Sequence, residues 1–151
     1  MYQFTDDCLT GIEIIDNEHR QLFATINAIS DILQDEMRKP EEVLQSAKEL
    51  LVILREYAAT HFAHEEEYME RIQDPELMRQ KKGHEEFTAK VCSVELETDD
   101  VSKGIRVFRD MMEYLSRWLY RHILASDTMI GKIKAVHNDP VMLTFSEKYY
   151  T

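Results

Sequence analysis

From Asp16 to about Gly131, apolar residues return at every third or fourth position, and the pattern breaks only around Pro40, Asp74-Pro75 and Thr98-Asp99-Asp100. That period belongs to a helix with one buried face; a strand, whose sides alternate at every second residue, does not carry it. Leu22, Phe23, Ile26, Ile29 and Leu33 mark a first helix running to about Met37, with Asp16 or Asn17 as its N-cap. Pro40 followed by Glu41 and Glu42 reads as the first turn of a second helix, its acids set against the helix dipole. Val43, Leu44, Leu50, Leu51, Leu54, Ala58, His61 and Phe62 continue it to near Ile72. Asp74 as N-cap and Pro75 in the first helical position open a third helix, on which Leu77, Gln80, His84, Phe87 and Val91 share a face to about Leu96. Thr98-Asp99-Asp100 caps the fourth, whose inward stripe is Ile105, Phe108, Met111 or Met112, Leu115, Trp118, Leu119, His122 and Ile123. Residues 1–15 lack the period and contain Thr10-Gly11, so they read as an N-terminal arm.

Four long helices in 151 residues, with only four glycines and three prolines, predict an all-α protein of one domain. The expected architecture is an antiparallel up-down-up-down four-helix bundle over residues 1–131, with facing side chains in its core as the natural place for a cofactor. Residues 132–151 fall outside the pattern and read as a short C-terminal extension, with a turn at His137-Asn138-Asp139-Pro140. That extension either caps the bundle end or begins a connection to a signalling output domain. A net charge of −11 disfavours nucleic acid and anionic lipid as partners. With no apolar run of membrane-spanning length and no signal-peptide pattern, the chain reads as soluble and cytoplasmic. Cys8 and Cys92 show no metal-binding or redox spacing and read as buried or half-buried thiols.

His19, His61, His84 and His122 fall on the inferred core faces of four different helices, and two of them are followed by an acid four or five positions later, Glu65 and Asp127. Imidazoles and carboxylates are the usual protein ligands of iron and zinc, and His61 and Glu65, one turn apart, project from the same side of their helix. A buried Glu needs a partner or a metal. Glu66 and Glu67 read as a solvated face, His64 as a helix-surface residue or a hydrogen-bond donor behind the ligands, and His137 as exposed in its turn.

Asp16-Asn17-Glu18-His19, His61-Phe62-x-x-Glu65-Glu66-x-x-Met69, His84-x-x-Phe87 and Trp118-x-x-x-His122-Ile123-x-x-x-Asp127 resemble, in order and spacing, the bacterial hemerythrins. The resemblance implies a non-heme diiron centre that binds or senses dioxygen, with His19 and His61 on one iron, His84 and His122 on the other, and Glu65 and Asp127 bridging. By the same resemblance Leu22, Phe62, Trp118, Leu119 and Ile123 would line a ligand pocket near the His19/His61 iron. Two ferrous ions bring four positive charges into the core, and two carboxylates with a bridging hydroxide reduce that to about +1, while neutral imidazoles add none.

The chain departs from the family where it has Gln80, four residues before His84, in place of a further His ligand. An amide oxygen is a much weaker donor to iron than imidazole, and water, Gln80 itself, or a nearby acid such as Glu76 one turn earlier are the candidates to complete that shell. Gly83, in the same turn, reads as an ordinary tolerated glycine. An open second iron favours gas or redox sensing over stable oxygen storage. The alternative is an enzyme of the diiron oxidase, peroxidase or nitric oxide reductase type. Ferritin-type oxidases carry Glu-x-x-His pairs, and no Glu stands three residues before any candidate ligand His here.

Overall fold

The computed structural model describes residues 2–93 and 100–137, the stretch 133–137 as backbone. A 3-10 turn at Asp6–Cys8 precedes α1 (Glu13–Leu33), α2 (Pro40–Arg71), α3 (Leu77–Cys92) and α4 (Val101–His122). A π-helical turn, Ile123–Asp127, then joins α4 to α5 (Thr128–His137). Both α1 and α3 pack against α2 and α4, and α2 also meets α4 across the bundle. This is the expected all-α bundle, with no strand among the described residues. No helix among them is long and apolar enough to cross a membrane.

Two apolar clusters hold the helices together. The larger includes Leu22, Ile26, Ile29, Leu51, Leu54, Phe87, Phe108 and Leu115; the smaller joins Ile12, Ile15, Tyr68, Met69 and Ile130. Each fully buried side chain of this kind contributes about 1.5–3 kcal/mol relative to exposure. Along α1 and α2, the candidate ligands lie where one cluster gives way to the other. His19 falls between Ile15 and Leu22, and His61 and Glu65 fall between Ala58 and Tyr68.

Several boundaries differ from the sequence expectation, each for a local reason. Helix α1 starts at Glu13, and Asp16 is not its cap. The Asp16 carboxylate turns back to the arm instead, where Oδ1 accepts from the Thr10 N–H and hydroxyl, each at 2.8 Å, and Oδ2 accepts from the Gly11 N–H at 3.2 Å. Gly11, at φ 81°, supplies the left-handed bend that this loop requires. Helix α1 ends at Leu33, short of Met37. Asp74 and Pro75 form the turn before α3 rather than its first residues, with Asp74 Oδ1 accepting from the Glu76 N–H at 2.9 Å. Asp100 caps α4 by accepting from the Lys103 N–H at 3.1 Å. Leu96, Thr98 and Asp99, given roles in the sequence reading, lie outside the described residues. Cys8 is buried as expected, whereas Cys92, the last residue of α3, is exposed; both thiols are free.

The helix, expected to end around Gly131 or a little beyond, passes Gly131 and runs on to His137, so His137 is helical rather than part of a turn, and the remainder of the extension lies outside the described residues. A Cβ at Gly131 would sit 1.7 Å from the Thr10 carbonyl oxygen, so the glycine lets α5 close against the arm that Asp16 holds in place. Gly131→Ala is therefore expected to destabilise the chain by about 1–3 kcal/mol, against the roughly 1 kcal/mol that alanine gains in helix propensity. Urea unfolding measures this, and an unchanged midpoint would show that α5 lifts off Thr10 without cost.

Candidate metal centre

The α2 turn places His61 Nε2 2.7 Å from Glu65 Oε1. From α1, His19 Nε2 lies 2.8 Å from the same oxygen and 3.0 Å from Asp127 Oδ2. From α3, His84 Nε2 stands 3.1 Å from Glu65 Oε2, and His122 Nε2 stands 3.4 Å from Asp127 Oδ1. The result is two overlapping groups, His19-His61-Glu65-Asp127 and Glu65-His84-His122-Asp127. Within each, one donor atom per residue lies within 4.8 Å of all the others. All six residues singled out from the sequence meet here, buried except for a half-buried His122.

Two backbone features make the α4 side of the centre possible. Residues five apart on an α-helix point about 140° away from each other, which would separate His122 from Asp127. The π-helical turn Ile123–Asp127 closes every fifth residue and returns Asp127 to the side of His122. Gly83 faces the same imidazole, for a Cβ there would lie 3.1 Å from His122 Cε1, so it is a clearance and not merely a tolerated glycine. Gly83→Ala gains about 1 kcal/mol of helix propensity but forces the ring to give by a few tenths of an ångström. The metal-free variant should keep its melting temperature while its metal affinity falls. Titration with ferrous iron checks the second half, and equal affinity would mean that the ring yields freely.

Behind the imidazoles stand acids whose role the sequence reading missed. Glu18, nearly fully buried, lies 3.0 Å from His61 Nδ1 through Oε1 and 2.7 Å from His64 Nδ1 through Oε2. Glu66 Oε2 lies 2.9 Å from His84 Nδ1, so Glu66 is not simply part of a solvated face. Such contacts fix the ring orientation and leave Nε2 free to bind. A signal was present: Glu18 lies four residues before Leu22, and Glu66 four after Phe62, both on apolar helix faces. Glu67, paired with Arg71 at 3.0 Å and part-exposed, fits the earlier reading.

Of the anticipated pocket residues, Leu22, Phe62, Leu119 and Ile123 are buried and Trp118 half-buried, all in or against the larger cluster. Phe62 lies flat on the His84 ring, centroids 4.0 Å apart, and Trp118 lies flat on His122 at 4.5 Å. These two rings thus bear on the imidazoles of the second group, although Phe62 also reaches within 5.7 Å of His61.

Burial alone would push the His61 imidazolium down, but the Glu65 charge and hydrogen bonds to Glu18 and Glu65 overcome it and raise its pKa to about 10. His19 and His84 are raised in the same way against their burial, His19 chiefly by Asp127 and Glu65, His84 chiefly by Glu65. Burial would raise the Glu65 and Asp127 carboxyls, yet the imidazoles around them hold both below the ordinary range. Protons on the rings thus take the place that a cation between them would fill. The donor chemistry fits such a cation, because the Nε2 atoms converge while carboxylates hold Nδ1 of His61 and His84 from behind. His122 Nε2, buried 3.4 Å from Asp127 Oδ1, has no well-formed hydrogen bond among the described residues. Gln80 is also buried here: its Nε2 donates to Asp127 Oδ1 at 2.9 Å, and its Oε1 has no hydrogen-bond partner among the described residues. Glu76 is not brought in; its side chain is largely exposed, 3.9 Å from Arg79.

The family described as Hemerythrin HHE cation binding domain matches residues 10–133. A bacteriohemerythrin of Clostridium acetobutylicum is 32% identical over 129 residues, 84% of this chain and 96% of its own length. That of Pseudomonas paraeruginosa is 33% identical over 133 residues, 88% and 80% of the two chains. The Stenotrophomonas maltophilia protein is 31% identical over 125 residues, 81% and 74% of the two. No solved structure matches at a significant level. The family match spans nearly all the described helices and the whole imidazole–carboxylate cluster, and the chain belongs to the hemerythrin family.

Proposed function

We propose that this chain holds two iron ions, one at His19 and His61 and one at His84 and His122, with Glu65 and Asp127 shared, and that it binds dioxygen or responds to redox state. The observation that carries this reading is the pair of four-residue groups overlapping at both carboxylates. Two metals sharing two carboxylates need that overlap, whereas a single mononuclear site would leave two of the four imidazoles idle. Bound iron would supply the reversible redox chemistry that side chains lack. The protein holds the rings in register through Glu18 and Glu66, and Leu22, Phe62, Leu119 and Ile123, all buried, would screen the site from water. An iron count per chain with an absorption spectrum of air-exposed protein tests the proposal. Two irons with the charge-transfer bands of a bridged ferric pair are expected, and one iron or zinc alone would overturn it.

Gln80 favours a second reading of the same centre, as a diiron oxidase, peroxidase or nitric oxide reductase. An amide is a weak iron donor, so an iron held by His84 and His122 would have a place that solvent or substrate could take. Gln80→His should leave the melting temperature of the metal-free form nearly unchanged, since Phe87 and Val91 keep the buried face of α3. It should lengthen the lifetime of the oxygenated form. Stopped-flow decay at matched iron content checks this, and equally fast decay would remove any role for position 80 in the oxidation chemistry.

A further inference from the structure

Asp127 ends the π-helical turn and Thr128 opens α5, so the ligand and the helix behind it are one continuous piece. The Thr128 N–H donates to the Ile123 carbonyl, five residues back. An α-helical path would close four residues back and swing Asp127, with all that follows it, by about 100°, the turn of one residue. Asp127 would then leave His19, whose Nε2 is 3.0 Å from its Oδ2. Gly131 would leave the Thr10 carbonyl, beside which no Cβ fits. Ile130, 1% exposed, would leave its cluster with Ile12, Ile15 and Tyr68. The two ends are tied together through α1. His19 and Asp16 stand about one turn apart on that helix, the first facing Asp127 and the second holding the arm on which α5 rests.

We infer that Gly131 and Ile130 are positioning residues for Asp127: their seat on the arm holds the π-helical turn in the form that ligation needs, so metal binding and α5 docking strengthen one another. The inference rests on the proposed diiron centre and adds to it a control of the Asp127 ligand from the N-terminal arm. Two observations carry it. A π-helical turn is a rare conformation that persists where its surroundings impose it, and here contacts on both sides of the turn do so. The cluster around Ile130 contains no candidate ligand, and the nearest one along the chain is Asp127 itself, three residues back. Linkage makes the effect mutual: iron tightens α5 on the arm by the same factor by which the arm tightens iron.

The test measures ferrous iron affinity of the full chain by anaerobic competition with a chelator. Gly131→Ala lifts α5 from Thr10, and Ile130→Ala loosens it independently should the first variant fold poorly. Leu33→Ala is the control: it opens the larger cluster at the far end of α1, about 21 Å from His19 at 1.5 Å per residue. A chain that stays folded keeps its intrinsic metal affinity whatever its margin of stability, so a merely structural role would leave all four proteins alike. Gly131→Ala and Ile130→Ala are expected to bind iron about tenfold more weakly, within the usual range of coupling between sites, and Leu33→Ala to match the parent. In the parent, which needs no substitution, iron should slow amide exchange at Thr10 and along α5 by about the same factor. The Gln34 amide, at the opposite end of α1, should exchange as before. Two irons per chain with equal affinity in the parent and both α5 variants would overturn the inference and leave the diiron reading standing. So would an equal loss in Leu33→Ala, or exchange at Thr10 and α5 that iron does not slow. Failure of the parent to bind two irons would remove the diiron reading and the inference with it.

Discussion

Glu65→Ala is expected to leave the chain nearly free of iron after dialysis, whereas Glu66→Ala retains the metal with affinity lowered about 10- to 100-fold, the usual effect of losing a group behind a ligand. The difference follows from position. Glu65 is fully buried, with the Nε2 atoms of His19, His61 and His84 at 2.8, 2.7 and 3.1 Å from its oxygens. It belongs to both ligand groups, so one substitution damages both metal positions. Glu66 meets the outer nitrogen of His84, at 2.9 Å, and is part-exposed. The metal-free Glu65→Ala chain should also lose about 3–5 kcal/mol near pH 6, where protonated imidazoles would be left buried without their partner. Iron assay and urea unfolding of the two variants side by side decide the matter. Equal iron retention would mean that Glu65 is a structural acid and that the centre does not share it.

The helices and the six convergent residues were legible because periodicity reports which residues face inward, and a His or Glu on such a face stands out chemically. What escaped was whatever depends on a contact between distant segments. Asp16 has the sequence character of a cap, and only the position of Thr10 shows that its carboxylate serves the arm. Gly131 looks like a helix stop because the signal for a stop and the signal for close approach are the same residue; the Thr10 carbonyl distinguishes them. The same holds for Gly83, whose reason lies on another helix in the His122 ring. The five-residue spacing of His122 and Asp127 was visible, but the π-helical turn that makes it productive was not, since nothing local in Ile123-Leu124-Ala125-Ser126 demands it. Glu18 and Glu66 stood in acidic surroundings where a solvated face is the ordinary reading, and their apolar-face positions were the clue passed over.

The metal-free and iron-loaded chains should respond to pH in opposite directions. His61, with its pKa raised to about 10 from an ordinary 6.5, adds stability that is fully present below pH 6.5 and lost as pH rises through 10. His19 and His84, also raised, act with the same sign. Glu65 and Asp127, lowered from ordinary values of 4.5 and 3.8, add stability that is present above those values and lost as pH falls through the lowered ones. The metal-free bundle is therefore expected to be most stable between about pH 4.5 and 6.5, and its urea midpoint should decline steadily from there toward pH 9. Iron requires the same imidazoles without their protons, so its uptake releases protons and its affinity rises with pH. The loaded chain should accordingly gain stability over the interval in which the metal-free chain loses it. Parallel urea titrations at pH 5.5, about 7 and 8.5, with and without chelator, read out both slopes. A metal-free midpoint that stays flat or rises toward alkaline pH would show that the rings do not carry protons in the folded chain, and the account of protons standing in for the cation would then be wrong.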